Sequence, residues 1–315
     1  MRNMRCIVYL TGGLGNQLFQ LAAALTYCDE SEREIVLDTS LGKPRKTAGQ
    51  ADICTLSLPP KVSPLNKPSS FLVQKTSGFM LRKGIEPSSL EMKTKISKIL
   101  DSCGKAILSL RYKMVIGLFV SSNLGYEELA QIPNETVMLI GYFQSYRYSD
   151  SERVFSKLFS MSPNSLSEKT LRYISMATSQ KPIFLHFRFQ DYLQEKDFGI
   201  PSISYYEASL DLLNASNREI WVFSDDIEMA KCKLKDTRFS NSFFVEDSGM
   251  STAEVLHLFR HGADYVIANS SFSWWGAHLR FNRTSRVVAP RPWFKLKEEP
   301  RELIHPSWIR KETQD

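Results

Sequence analysis

Cys6-Ile7-Val8-Tyr9-Leu10-Thr11-Gly12-Gly13-Leu14-Gly15-Asn16-Gln17-Leu18-Phe19-Gln20 is the stretch from which the fold is read. Five apolar residues in a row, ended by paired glycines, predict a short buried strand of a parallel sheet. Leu18, Leu21, Ala22 and Leu25 then recur at helical spacing, so a helix is expected from about Asn16. Ile35-Val36-Leu37, with Asp38 behind it, reads as the next strand. The chain therefore opens as a β-turn-α-β unit. Glycines let backbone N–H groups approach an anion, and the helix presents its positive end there. Gly13, Gly15 and Asn16 are thus candidate ligand-binding residues. Asp38 stands where a dinucleotide fold places its ribose-binding acid, but Leu18 occupies the third glycine position of G-x-G-x-x-G. An NAD-dependent oxidoreductase is kept as an alternative.

Working outward, Val137-Met138-Leu139-Ile140 predicts another strand, leading into Gly141-Tyr142-Phe143-Gln144. From Pro182 onward the alternation is regular. Strands are expected at 183–187, 219–223, 242–245, 265–268 and 286–289, with helices at 205–213, 227–233, 251–260 and 274–281. Alternation of this kind argues for a second parallel α/β domain. The expected fold is α/β, two Rossmann-like domains facing a central cleft: 1–160, with an irregular region at 40–135, and 161–315, with a last helix packing back on the first domain. Prolines 59, 60, 64 and 68 make the irregular region loop-rich, and a Lys-rich helical pattern follows at about 90–108. The linker is placed within 145–180.

Composition narrows the function. The 315 residues carry 40 Lys and Arg against 34 Asp and Glu, a net charge of +6, with 43% hydrophobic residues. Disorder, collagen and coiled coil are excluded for the whole chain. The mild basic excess suits an anionic small ligand or an acidic membrane surface. No dense Lys/Arg tract with interleaved aromatics supports a nucleic-acid partner. The five cysteines, Cys6, Cys28, Cys54, Cys103 and Cys232, are scattered without a C-x-x-C pair, which fits free thiols in a reducing compartment. Residues 6–28 carry no charge, yet glycines and amides interrupt them before a spanning length of about 20 is reached. A cytoplasmic protein is expected, and the sequons at Asn134, Asn214, Asn269 and Asn282 then carry no glycan.

In open α/β sheets ligands bind beyond the carboxyl ends of the strands, so each strand exit bears on function. His186-Phe187-Arg188-Phe189-Gln190-Asp191-Tyr192 delivers several ionisable groups, and an Arg fork matches a diphosphate; the plainer alternatives are a surface Arg and a capping Asp. In Phe223-Ser224-Asp225-Asp226 either carboxylate could face a purine and ribose or cap the next helix. Asn269-Ser270-Ser271-Phe272-Ser273-Trp274-Trp275-Gly276 opens a helix with hydroxyls suited to phosphate, and its tryptophans read as packing rather than stacking. Glu254, His257 and His261 share one helix face, but Leu258 replaces the glutamate of H-E-x-x-H, so a structural reading is preferred to a metal. No Asp-x-Asp and no G-x-x-x-x-G-K-[ST] occurs, which removes the usual metal-held sugar nucleotide and a Walker-type kinase.

Taken together, Gly12 to Gln20, Gly141-Tyr142-Phe143-Gln144-Ser145, His186 to Tyr192, Phe223 to Asp226 and Asn269 to Ala277, in that order, resemble the α-1,2-fucosyltransferases of glycosyltransferase family 11. The resemblance implies a GT-B-like enzyme that uses GDP-β-L-fucose, inverts the anomeric centre and needs neither metal nor cofactor. It implies that Arg188 holds the β-phosphate, that His186, Asp225 and Asp226 face guanine and ribose, and that Ser270 and Ser271 cradle the diphosphate. Asn16, on the loop of Gly13 and Gly15, would lie over the fucose or phosphates, and Tyr142 and Gln144 on the acceptor side. Asp191 is the candidate base, with Glu195 and Asp197 as alternatives. The acceptor would be a terminal β-galactose, O2 attacking, on a free or lipid-linked oligosaccharide such as O-antigen at the inner membrane face. One departure stands out: the family block reads His-x-Arg-Arg-x-Asp-Tyr, and Phe189 replaces its second Arg. Either Arg188 suffices, or Lys295 or Arg291 compensates, or the chain is a catalytically weak GDP-sugar-binding relative.

Overall fold

The structure, a computed structural model, describes residues 4–29, 31, 33–39, 51–65, 116–121, 124–189 and 198–313. The first strand, β1 (Arg5–Tyr9), runs through the middle of a parallel sheet, as its unbroken apolar run dictates. β2 (Glu34–Asp38) and β5 (Thr136–Ile140) flank it, with β3 (Val62–Pro64) and β4 (Ile116–Val120) at the edges, in the order β3-β2-β1-β5-β4. Helix α1 (Leu14–Tyr27) starts two residues ahead of Asn16, because Gly13 takes the extended N-cap conformation. Residues 145–180 fold largely as helices α2 (Glu152–Phe159) and α3 (Glu168–Gln180), N-capped by Ser151 and Ser167.

The second sheet is also wholly parallel. β6 (Ile183–Phe187) starts it, and every β6 residue is buried. There follow α4 (Ile203–Leu212), β7 (Ile220–Ser224), α5 (Ile227–Leu234), β8 (Phe243–Phe244), α6 (Thr252–Phe259), β9 (Asp264–Val266), α7 (Ser271–His278), β10 (Val287–Arg291) and β11 (Ile309–Glu312). The strand order is β11-β10-β9-β6-β7-β8. Where a last helix was expected, the final described element is the edge strand β11, paired with β10 from Val288↔Ile309 to Arg291↔Glu312.

The chain divides into two compact units, Met1–Met161 with Pro300–Leu303, and Ser162–Glu299 with Ile304–Asp315. In the first sheet β2 and β3 lie on one side of β1 and β5 and β4 on the other, and in the second β7 and β8 lie on one side of β6 and β9, β10 and β11 on the other, so the strand order switches between β1 and β5 and between β6 and β9. Crevices at such switch points are where open parallel sheets bind ligands. The Lys-rich pattern at 90–108 lies outside the described residues. Cys6, Cys28 and Cys54 are buried free thiols and Cys232 is an exposed one. No helix among the described residues is long and apolar enough to cross a membrane.

Candidate active site

At the switch point of the first unit, the glycine turn after β1 adjoins the turn after β5. Gly12 has φ +72, and a Cβ there would run into the side-chain amide of Asn16. Two buried glutamines staple this turn. Gln17 Nε2 donates to Gly12 O at 2.9 Å, and Gln17 Oε1 accepts from Ile53 N at 2.9 Å. Gln20 Oε1 accepts from Thr11 N at 3.0 Å, while its Nε2 donates to Gly141 O at 3.0 Å. One side chain thus joins the two strand exits. Phe143, fully buried, sits at φ +54; a left-handed non-glycine residue costs of order 1 kcal/mol or more and persists only where its surroundings hold it. The bend turns Gln144 so that its Nε2 donates to Asn16 Oδ1 at 3.0 Å. Gln144 Oε1 is buried with no protein partner. Tyr142 is half-buried in the same turn, Gly13 is exposed, and Gly15 is buried in the first turn of α1.

At the switch point of the second unit lie His186, Arg188, Asp225, Asp226, Ser270 and Ser271. His186 is 4% exposed, its Nδ1 has no partner, and its ring stacks on Phe272 of the first turn of α7 at 5.8 Å. Burial, helped by the charge of Arg188, pulls its pKa down to about 3, so the imidazole is neutral at physiological pH. Tyr206 Oη donates to the His186 carbonyl at 3.1 Å and fixes the strand end from below. Asp225 is held by neighbouring protein groups. Its Oδ2 lies 3.3 Å from Arg188 Nε, and its Oδ1 accepts from Phe189 N at 2.9 Å. Asp226 is the N-cap of α5, accepting from Met229 N at 2.9 Å. Phe189 is a core residue, 1% exposed and stacked on Phe187 at 5.5 Å.

Helices α2 to α6 have Ser151, Ser167, Ser202, Asp226 and Ser251 as N-caps whose side chains accept from the first turn. The caps of α1 and α7, Gly13 and Ser270, do not. Ser270 is 5% exposed, and its hydroxyl makes no cap bond to the first-turn N–H groups of α7, the kind of helix start at which anions bind. Asn269 does other work: its Nδ2 lies 3.0 Å from each of Phe198 O, Gly199 O and Trp293 O, clasping two loops together. Trp274 and Trp275 are fully buried packing residues.

The structure therefore brings Asn16 to Gln144 in one unit, and in the other it brings Arg188 to Asp225 and His186 to the start of α7. Asp191, Glu195 and Asp197 lie outside the described residues. The staples Gln17 and Gln20 and the clasp Asn269 escape a sequence reading because each acts through backbone partners distant in sequence. Glu254 is committed to packing: it accepts from Ser167 N at 2.6 Å, Thr170 Oγ1 at 3.0 Å and Ser251 N at 2.8 Å. Among the described residues no group of three or more His, Cys, Asp or Glu could hold a metal.

The sequence pattern of glycosyl transferase family 11 matches residues 6–312. The chain belongs to glycosyltransferase family 11. It is similar to an α-1,2-colitosyltransferase of Escherichia coli, 29% identical over 93% of each chain. It is also similar to the O-antigen biosynthesis glycosyltransferase WbnK of Escherichia coli, 26% identical over 95% of this chain and 98% of that one. Among solved structures, the selenomethionyl fucosyltransferase NodZ from Bradyrhizobium superposes with a TM-score of 0.50 at 13% identity, over 89% of this chain and 93% of that one. At that identity the likeness is one of fold, GT-B-like with two Rossmann-like domains. This family-11 chain is a glycosyltransferase, and the dinucleotide-dependent oxidoreductase is set aside.

Proposed function

We propose that the chain is an inverting α-1,2-fucosyltransferase that moves L-fucose from GDP-β-L-fucose to O2 of a terminal β-galactose on a free or lipid-linked oligosaccharide. The observation that carries this is Arg188, held by Asp225 at the carboxyl end of β6 beside neutral His186, whose ring stacks on the start of α7. As the fucosyl–phosphate bond breaks, charge gathers on the departing GDP. A guanidinium, the Ser270 and Ser271 hydroxyls and open helix N–H groups stabilise that charge as it develops, which lowers the barrier rather than merely tightening binding. His186 Nδ1, buried and unpartnered, hydrogen-bonds the guanosine end of the donor. The acceptor O2 attacks from the face opposite GDP, and a base takes its proton; Asp191 is assigned that role from its place in the Arg188 block. Asn16 and Gln144 belong to the donor sugar and acceptor side, and residues 40–135 to acceptor choice.

The relative named for colitose, the 3-deoxy form of fucose, favours a second reading in which the donor is GDP-colitose. The two are separated by offering GDP-fucose and GDP-colitose with lactose and reading the linkage of the product by NMR. An α-1,2-fucosyl product formed faster than the colitosyl one supports the first reading. The reverse order replaces the donor, and a linkage to another hydroxyl replaces the acceptor position.

A further inference from the structure

Among the described residues, the exit of β6 lacks net positive charge. Arg188 is paired with Asp225 at 3.3 Å, His186 is neutral, and Phe189 is turned into the core with 1% exposure. A diphosphate bound there, and gaining charge as it leaves, requires a further cation. Arg291 ends β10, and Lys295 and Lys297 follow it within six residues, two strands away from β6 across spacings of about 4.8 Å each. Arg291 faces Glu312 at 3.8 Å. Lys297 lies over the Phe198 ring at 5.5 Å. Lys295 has no carboxylate partner among the described residues, and its backbone N–H donates to Phe198 O at 3.2 Å.

Gly199 fits this lysine. It has φ +70, and a Cβ there would come within 2.8 Å of Lys295 Cβ and 3.4 Å of its Cδ. Only a glycine leaves room for the lysine stem to lie flat along the 198–199 turn. Asn269, the residue immediately before the open N-cap Ser270, holds that turn and Trp293 together through three carbonyls, each at 3.0 Å. The loop bearing Lys295 is thereby fixed to the same turn that opens α7, where unpartnered His186 Nδ1 marks a ligand. We propose that Lys295, laid along Gly199 by the Asn269 clasp, is the second cation for the diphosphate of the sugar-nucleotide donor, an inference that rests on the donor reading above.

Calorimetric titration of GDP and of guanosine into wild type, Lys295→Ala, Lys295→Gln and Lys295→Arg tests it. Lys295 is exposed, so the variants keep the wild-type unfolding midpoint. GDP affinity is expected to fall about tenfold or more in the Ala and Gln variants, as for loss of a charge-assisted contact to phosphate. It is retained within about threefold in the Arg variant, and guanosine binds all four alike. Unchanged GDP affinity in Lys295→Ala, or an equal loss for guanosine, overturns the role of Lys295 while leaving the donor reading intact. A wild type that binds neither GDP nor guanosine overturns the donor reading and the lysine with it.

Discussion

The Asp225 carboxylate holds Arg188 Nε at 3.3 Å with one oxygen and the Phe189 amide at 2.9 Å with the other. One side chain from the β7 exit thus fixes both the guanidinium and the backbone on which it turns. On the proposed reading Asp225 positions Arg188, and Asp225→Asn is expected to lower kcat by about tenfold while leaving guanosine affinity unchanged. In an Arg188→Ala background the same change should cost nothing more, since the group it orients is gone. Additive losses, or a selective loss of guanosine binding, would return Asp225 to the base or ribose.

The Asn16–Gln144 contact gives a second expectation. A single hydrogen bond contributes about 1 kcal/mol to stability, so Gln144→Leu should move the denaturation free energy by no more than that. If Gln144 and Asn16 face substrate, turnover falls much further, by about tenfold or more, in both Gln144→Leu and Asn16→Ala. Equal, small effects on stability and rate would leave the pair a structural tie.

Acid should destabilise the protein in two steps. Burial lowers His186 to about 3 and His257 and His261 to about 4, against a usual 6.5. These imidazoles bind protons more readily unfolded than folded, so their contribution is whole above about pH 6.5 and is lost as pH falls toward 4 for His257 and His261 and toward 3 for His186. Glu254 is buried, yet hydrogen bonds from Ser251 and Ser167 bring its pKa down to about 2 from 4.5. Its contribution is present above pH 4.5 and is lost as pH falls below that. Urea titrations from pH 7.5 to 3 should show stability declining from about pH 6.5, with His257→Gln/His261→Gln flattening only the upper step. A flat profile between pH 7 and 5 would contradict the neutral buried imidazoles.

Glu254 also joins the starts of α3 and α6, completing a capping box with Ser251. Removing a carboxylate that satisfies several donors leaves them buried and unpaired, so Glu254→Ala should cost about 2–4 kcal/mol. Glu254→Gln should recover part of this. Chemical denaturation measures both, and specific activity of the folded fraction should stay at the wild-type level.

Most of the sheet was legible because parallel strands buried on both faces are runs of apolar residues: Cys6 to Leu10, Ile183 to Phe187 and Val137 to Ile140 could hardly be otherwise. Boundaries slipped by one to three residues, as at β7 (Ile220–Ser224) and α7 (Ser271–His278), where a cap rather than the pattern decides the end. The strand β11 (Ile309–Glu312) was missed since an edge strand with three charged residues shows no apolar run. Helices α2 and α3 were taken for linker, although Ser151 and Ser167 three residues ahead of their amide partners signal them. Residue types at strand exits pointed to His186, Arg188 and Ser270, which the structure sets at the switch point of the second unit, but what each touches was not legible. Asp225 could have faced a purine or an arginine, and only the pairing of β6 with β7 from Ile183↔Ile220 to Phe187↔Ser224 places it against Arg188.

The central claim is tested most directly by GDP release from GDP-fucose, with and without lactose and in excess EDTA, for wild type and Arg188→Ala. Lactose-stimulated release by wild type that ignores EDTA, cut by about 10²–10³ in Arg188→Ala at an unchanged unfolding midpoint, is the expected result. GDP release at wild-type rates from Arg188→Ala, or none from wild type on lactose and a wider galactoside panel, would contradict it.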